Sequence, residues 1–251
     1  MSGVGKTHIA RILNRNHDWL QYSVDYMIGS KYMKTSIEKR STERFKPSTD
    51  DKFSIQNLSA LSNYLGNPGD QTDNGLPFSE YLRRQREHKR AETLAMVQIS
   101  QFLKTNLNLA KNNFVCDTSG SLCEIVNPQC KNDKILSSIA KDTLIILIRE
   151  TDSHIKELKE RFKKAPKPMY YNENFLIKIW KEFCKEKEVD ETSASPKEFS
   201  IYGFDKLIKH RGPIYKAIAQ NWGIEIPASD LSKVKTEEDL SELVCNNLPE
   251  N

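Results

Sequence analysis

Apolar residues recur along this chain at two spacings, helical and strand-like, and their alternation predicts an α/β protein. Ile9, Ile12 and Leu13 stand at helical spacing directly behind Met1-Ser-Gly-Val-Gly-Lys-Thr7, so a glycine-rich turn opens straight into a short amphipathic helix. Trp19 to Val24 mixes aromatic and β-branched residues and predicts a strand closed by Asp25, after which the chain reads as polar and irregular to about residue 52. Gly66, Pro68, Gly69, Asn74, Gly75 and Pro77 form the densest group of breakers and predict a mobile loop. No Gly or Pro occurs from Tyr81 to Leu107, and Leu94, Val97, Ile99, Phe102 and Leu103 predict one long helix there. Phe114–Asp117 and Thr143–Ile148 are short apolar runs with polar ends, the pattern of buried parallel strands. Helices are predicted over 153–163, 174–186 and 213–222, with a polar connection at 191–196, and Gly223–Pro227 is the last strand. Thr236, followed by Glu237, Glu238 and Asp239, caps a C-terminal helix.

With 251 residues, 37% hydrophobic and 29% charged, the chain has the composition of a globular protein and the length of one sizeable domain carrying insertions. A net charge of +4 does not demand a polyanionic partner, although it leaves nucleic acid open, and it suits a site for one phosphorylated ligand. Thr143–Ile148 is the longest apolar run, far short of the roughly 18 residues that a membrane span needs, so no membrane partner and a cytoplasmic location are expected. Cys116, Cys123, Cys130, Cys184 and Cys245 are odd in number and form no C-x-x-C pair, which indicates neither a disulfide framework nor a zinc site.

The chemistry concentrates at the N-terminus. Gly5, Lys6 and Thr7 stand in the register of the second half of a phosphate-binding G-x-x-x-x-G-K-S/T motif. Gly3 and Gly5 let backbone N–H groups face phosphate oxygens, Lys6 balances β- and γ-phosphate charge, and the Thr7 hydroxyl offers Mg²⁺ an oxygen. Ser2, Gly3, Val4, Gly5, Lys6, Thr7 and His8 are the expected ATP-binding residues. The alternative is an ordinary Gly-Lys-Thr turn before a helix.

On these motifs the chain resembles the shikimate-kinase and gluconate-kinase branch of P-loop kinases, over residues 1–30, about 113–165 and 208–246. The resemblance implies a three-layer α/β/α fold around a parallel sheet, with an inserted helical acceptor region at 31–112 and a lid at 159–200. It implies that Asp25, in Tyr22-Ser-Val-Asp-Tyr26, faces the phosphoryl acceptor. Asp117-Thr-Ser-Gly-Ser121 resembles the family's small-residue turn beside the γ-phosphate but carries an extra acid, Asp117, which at the end of an apolar strand is expected to hold Mg²⁺ through water as a hard oxygen ligand. Lys159-Glu-Arg-Phe-Lys-Lys-Ala-Pro-Lys-Pro168 lies where the family's basic lid closes, with Arg161 as its transition-state charge, while Lys163 and Lys164 equally suit a solvated basic helix face. Arg211-Gly-Pro-Ile-Tyr215 resembles the family's Arg-Pro-aliphatic-Tyr run with Gly212 inserted, which makes Arg211 an acceptor-binding candidate. The first Walker A glycine and the strand it hangs from are expected to lie outside the given sequence, with Met1 internal to a longer protein. Their place is a gap, or a non-native segment, between the strands ending at Asp117 and Ile148.

Residues 31–112 do not resemble the family, so the acceptor is not inherited from it. Within them Arg83, Arg86 and Arg90 share one helical face, which either grips an anionic acceptor or is a solvated face, and His88 lies among them. The expected function is transfer of the ATP γ-phosphoryl group to a small hydroxylated acceptor, with Lys6, Asp25 and Arg161 at the chemistry and Mg²⁺ at Thr7 and Asp117. The alternatives are an ATP hydrolase, or a nucleotide-responsive module engaging a protein or nucleic acid.

Overall fold

A computed structural model describes residues 6–14, 19–44, 58–106 and 113–249. The chain forms two compact units, each built from separated segments. A sheet unit comprises Met1–Val24, Ala95–Glu157 and Gly212–Asn251, and a helical unit comprises Asp25–Leu94 and Leu158–Arg211.

In chain order the elements are α1 (Lys6–Asn14), β1 (Trp19–Ser23), α2 (Val24–Met27), a π-helical turn (Ile28–Tyr32), α3 (Lys34–Arg44), α4 (Ser59–Leu65), α5 (Phe78–Val97) and α6 (Ile99–Asn106). There follow β2 (Asn113–Asp117), α7 (Lys134–Asp142), β3 (Ile145–Arg149), α8 (Asp152–Lys164), α9 (Glu173–Lys187), α10 (Pro196–Trp222), β4 (Gly223–Pro227), α11 (Ala228–Leu231) and α12 (Glu237–Cys245). Several of these differ from the sequence pattern. The segment expected to be irregular before residue 52 contains α3, and the long helix expected over 81–107 is two helices divided at Gln98. Strand β1 ends at Ser23, so Asp25 stands in the first turn of α2 and not at a strand end. The last helix before β4 begins at Pro196 and passes through Pro213, whose ring removes one intrahelical hydrogen bond. Gly212, just before it, would seat a Cβ in open space.

The sheet unit holds all four strands of the described residues. β1 runs parallel to β2, pairing Trp19 with Asn113 and Ser23 with Asp117, and β3 runs parallel to β4, pairing Ile145 with Gly223 and Arg149 with Pro227. A parallel sheet with a gap or a non-native segment between the strands ending at Asp117 and Ile148 was the expectation; among the described residues the strands form two separate pairs, and no ladder joins β2 to β3. One apolar cluster nevertheless spans both pairs. Ile12 and Leu13 of α1, Ile224 and Ile226 of β4, Leu231 and Leu240 form it, and Val115 of β2 and Ile148 of β3 pack against it. Ile145, three positions from Ile148 and hence on the other face of β3, packs with Leu136 and Ile218. β3 is therefore apolar on both faces, yet Ile146 is 36% exposed, while its cross-strand partner Ile224 is buried. Among the described residues β4 is the one strand paired with β3, so the other long side of β3 is an edge. The C-terminal helix carries the expected cap, with the Thr236 hydroxyl accepting from Asp239 N–H and the Asp239 carboxylate accepting from Thr236 N–H.

In the helical unit Leu76, Tyr81, Tyr171, Leu176, Ile179, Trp180, Phe183, Phe199 and Leu207 form one aromatic-rich core. Trp180 stacks on Phe78 at 5.1 Å and meets Phe199 edge-on at 4.9 Å, geometries that add to plain apolar burial. Leu76 and Tyr81 come from the region expected to bind the acceptor, and Tyr171 to Phe199 from the region expected to be a lid, so these two regions share a core. The breaker-rich loop is pinned, not mobile. Gly69 N–H donates to Leu76 O at 2.9 Å, Leu76 N–H to Asn67 O at 2.9 Å and Asp70 N–H to Ala194 O at 2.8 Å. Gly69 adopts a φ of 131°, and a Cβ there would lie 2.2 Å from Ala194 O, so glycine is required twice over.

Candidate functional site

Polar groups of the sheet unit stand at the start of α1 and at the ends of β2 and β3. Lys6 opens α1, the helix whose Ile12 and Leu13 fix it on the apolar cluster. Ser2, Gly3, Val4 and Gly5 lie outside the described residues, as do the side chains of Thr7 and His8. Asp117 ends β2 and begins a hydroxyl-rich turn in which Ser119, Ser121 and Glu124 are buried. Ser121 donates its N–H to Ser119 Oγ at 3.4 Å, and Glu124 N–H donates to Ser121 O at 2.8 Å, closing the turn.

Glu150 follows β3. Both of its carboxylate oxygens are shielded from solvent and accept no hydrogen bond from a described residue. Burial raises its pKa above the usual carboxylate range, and the N-terminal ammonium, followed by Lys6 and His154, opposes that rise. Sequence reasoning marked Glu150 only as the end of a strand. The available signal was an acid directly after an apolar strand, the same pattern that singled out Asp117.

The other candidates fall in the helical unit. Asp25 is half-buried at the start of α2, immediately before the π-helical turn. Arg83 is held by Glu80 at 2.7 Å and by Glu87 at 3.1 Å, and Arg86 makes a bidentate pair with Glu173, at 2.8 Å from Nε. Carboxylates of the protein therefore already neutralise two of the three arginines expected to grip an anion. Arg90 and Arg161 are exposed.

Opposite the arginines, α5 buries Tyr81, Gln85, His88 and Glu92 at i, i+4, i+7 and i+11, a helical stripe in which polar groups replace the usual hydrophobes. They serve the extended segment 167–171. Tyr81 Oη and Gln85 Nε2 donate to Met169 O at 3.2 and 3.3 Å, Tyr171 N–H donates to Gln85 Oε1 at 2.9 Å, and Ser200 Oγ donates to Lys167 O at 3.2 Å. Arg211 is 2% exposed and donates to Tyr170 O at 2.7 Å. Its guanidinium thus satisfies a buried backbone carbonyl in the interior of the helical unit. His88 stacks on the Tyr170 ring at 4.6 Å between centroids. Burial, aided by the Arg211 charge, lowers the His88 pKa to about 3, so the imidazole is neutral at physiological pH. Its Nδ1 lies 3.7 Å from Glu92 Oε2, too far for a hydrogen bond.

The sequence-derived residues thus divide between the units. Lys6, Thr7 and Asp117 belong to the sheet unit, and Asp25, Arg83, Arg86, Arg90, Arg161 and Arg211 to the helical unit. No group of three or more His, Cys, Asp or Glu residues that could hold a metal ion occurs among the described residues. Mg²⁺ does not require one, because it keeps several waters and takes one or two carboxylates beside substrate phosphates. Asp117 at the end of β2 and Glu150 after β3 are each carboxylates of the type that Mg²⁺ takes. No helix of the described residues is long and apolar enough to cross a membrane. No family model matches the chain, and neither the curated proteins nor the solved structures contain a match.

Proposed function

We propose that this protein binds ATP with Mg²⁺ at the start of α1 and transfers the γ-phosphoryl group to a small hydroxylated acceptor. The observation that carries the reading is Ser2-Gly-Val-Gly-Lys-Thr7 leading without a spacer into α1, whose first residue is Lys6. It is supported by parallel strands followed by polar turns, since ligands of open α/β sheets bind beyond the carboxyl ends of the strands. In this reading Lys6 balances phosphate charge, Thr7 and Asp117 serve the metal, Arg161 neutralises charge developing on the transferred group, and Asp25 orients the acceptor hydroxyl. Mg²⁺ supplies charge neutralisation on the phosphates. Arg90 is the member of the expected anion-gripping face left exposed, with Arg83 and Arg86 paired to Glu80, Glu87 and Glu173.

The proposed fold is a P-loop sheet in which an apolar strand lies between β2 and β3. Its support is that β3 is apolar on both faces and half-exposed, and that β2 and β3 pack on one cluster without pairing.

The test is equilibrium binding of a fluorescent ATP analogue with Mg²⁺, followed by turnover with a panel of hydroxylated metabolites. Lys6→Ala should abolish binding, and wild-type turnover should stay negligible until an acceptor is supplied. Unchanged affinity in the variant refutes the phosphate-loop assignment. Rapid hydrolysis without an acceptor identifies an ATP hydrolase instead.

A further inference from the structure

We propose that Glu150 faces the divalent cation of a bound nucleotide and accepts hydrogen bonds from that cation's water shell, which makes it a second carboxylate of the site alongside Asp117. The proposal rests on the nucleotide-binding reading and extends it to a residue that the sequence motifs do not mark.

The argument begins from cost. A carboxylate removed from water loses strong hydration, and proteins return it through hydrogen bonds or an opposite charge. Glu150 has its two oxygens shielded and no described donor on either, although it stands just after the last residue of an ordered strand. Its neighbour on the other side, Thr151, is engaged by the next helix, with Thr151 Oγ1 accepting from His154 N–H at 3.2 Å. The backbone on both sides is therefore fixed, and the carboxylate is held where it is by the fold.

The charges around Glu150 indicate what completes it. The N-terminal ammonium, then Lys6, then His154 counter the effect of its burial. Lys6 is also the residue that draws phosphates to this end of α1. A bare polyphosphate arriving at Lys6 would bring negative charge toward a second buried anion and compete with it for the same ammonium. A phosphate–Mg²⁺ complex reverses that sign. Mg²⁺ gives up its waters reluctantly, and those waters are strong donors, so one hydrated cation can satisfy both oxygens of Glu150 without direct coordination. The ligand class is therefore a nucleoside triphosphate with its divalent cation, and Glu150 selects the metal-loaded form over the free one.

Binding of ATP to the 251-residue chain, measured by calorimetry with Mg²⁺ and again with EDTA, tests this on wild type, Glu150→Gln and Glu150→Asp. Glu150→Gln keeps the shape and removes the charge. It should weaken Mg-ATP binding about tenfold, as loss of an outer-shell partner does. The same variant should bind metal-free ATP at least as well as wild type, so the preference for the metal complex collapses, and Glu150→Asp should keep part of that preference. The thermal midpoint of ligand-free Glu150→Gln should be unchanged or higher, because a shielded carboxylate with no described hydrogen-bond donor is gone. A purely structural role predicts a lower midpoint and equal loss of both affinities, and that result overturns the proposal. An unchanged preference for Mg-ATP overturns it too. If wild type binds neither form, or Lys6→Ala binds both normally, the nucleotide reading itself fails and takes this proposal with it.

Discussion

Acidification should destabilise this protein through one buried imidazole. His88 is neutral in the folded state with a pKa of about 3, against an ordinary value of 6.5 when the chain is unfolded. The folded pKa is depressed for a base, so below pH 6.5 the unfolded chain takes up a proton that the folded chain refuses. Stability from the neutral ring is fully present above pH 6.5 and is lost as pH falls toward 3. Each pH unit in that window costs about 1.4 kcal/mol, so moving from pH 7.5 to pH 5 removes about 2 kcal/mol. The groups facing the ring are the Tyr170 ring, Arg211 and Glu92. Arg211 repels the imidazolium, whereas Glu92 at 3.7 Å would favour it, so the sign of the effect tests which neighbour dominates. Urea unfolding followed by tryptophan fluorescence at both pH values should show wild type losing about 2 kcal/mol more than His88→Gln does. The comparison reads the change with pH and not the absolute stability, so packing loss in the variant does not confuse it. Equal losses in the two proteins would refute the neutral buried imidazole, and a smaller loss in wild type would mean that Glu92 captures the proton on His88.

Gly223→Ala should disrupt the β3–β4 pair, because its Cβ would sit 2.1 Å from Ile145 O and 2.9 Å from the carbonyl carbon, and backbone cannot swing aside as a side chain can. A cost of about 2 kcal/mol or more is expected, read from the denaturant midpoint, and a neutral substitution would show that the pair is looser than described. Arg86→Ala should leave the unfolding midpoint unchanged, since its bidentate pair with Glu173 is on the surface with the Arg86 side chain 61% exposed. A clear drop in midpoint would show that this surface pair carries weight.

How much was legible before folding differs from element to element. Local signals sufficed where one residue type has one physical use. Thr236 with Asp239 three residues on forms the capping box, Gly223–Pro227 is a strand, and the apolar run before Arg149 is another, because capping and short-range apolar runs depend on neighbours in sequence. The breaker cluster misled because Gly69 is there for close approach to Ala194, a contact across more than a hundred residues of chain, and not for freedom. The arginine face misled in a related way: helical spacing placed Arg83 and Arg86 together, but Glu173, which pairs with Arg86, lies on another helix. Gln85 reads as an ordinary polar residue and Arg211 as an acceptor-binding candidate, and only the packing of 167–171 against α5 and α10 makes buried polar groups necessary at those positions.

The sequence by itself determined the chemistry on offer: a glycine-rich loop with Lys6 and Thr7 at the head of a helix, and acids directly after apolar strands, since those depend on residue type and local spacing. Tertiary structure decided which of those groups are spent. Arg83, Arg86 and Arg211 are engaged by partners far away in the chain or on the next helical turn, whereas the Glu150 oxygens are buried with no described donor. Whether a charge is compensated depends on where distant segments meet, and a one-dimensional pattern carries that information only when the partners are neighbours in sequence.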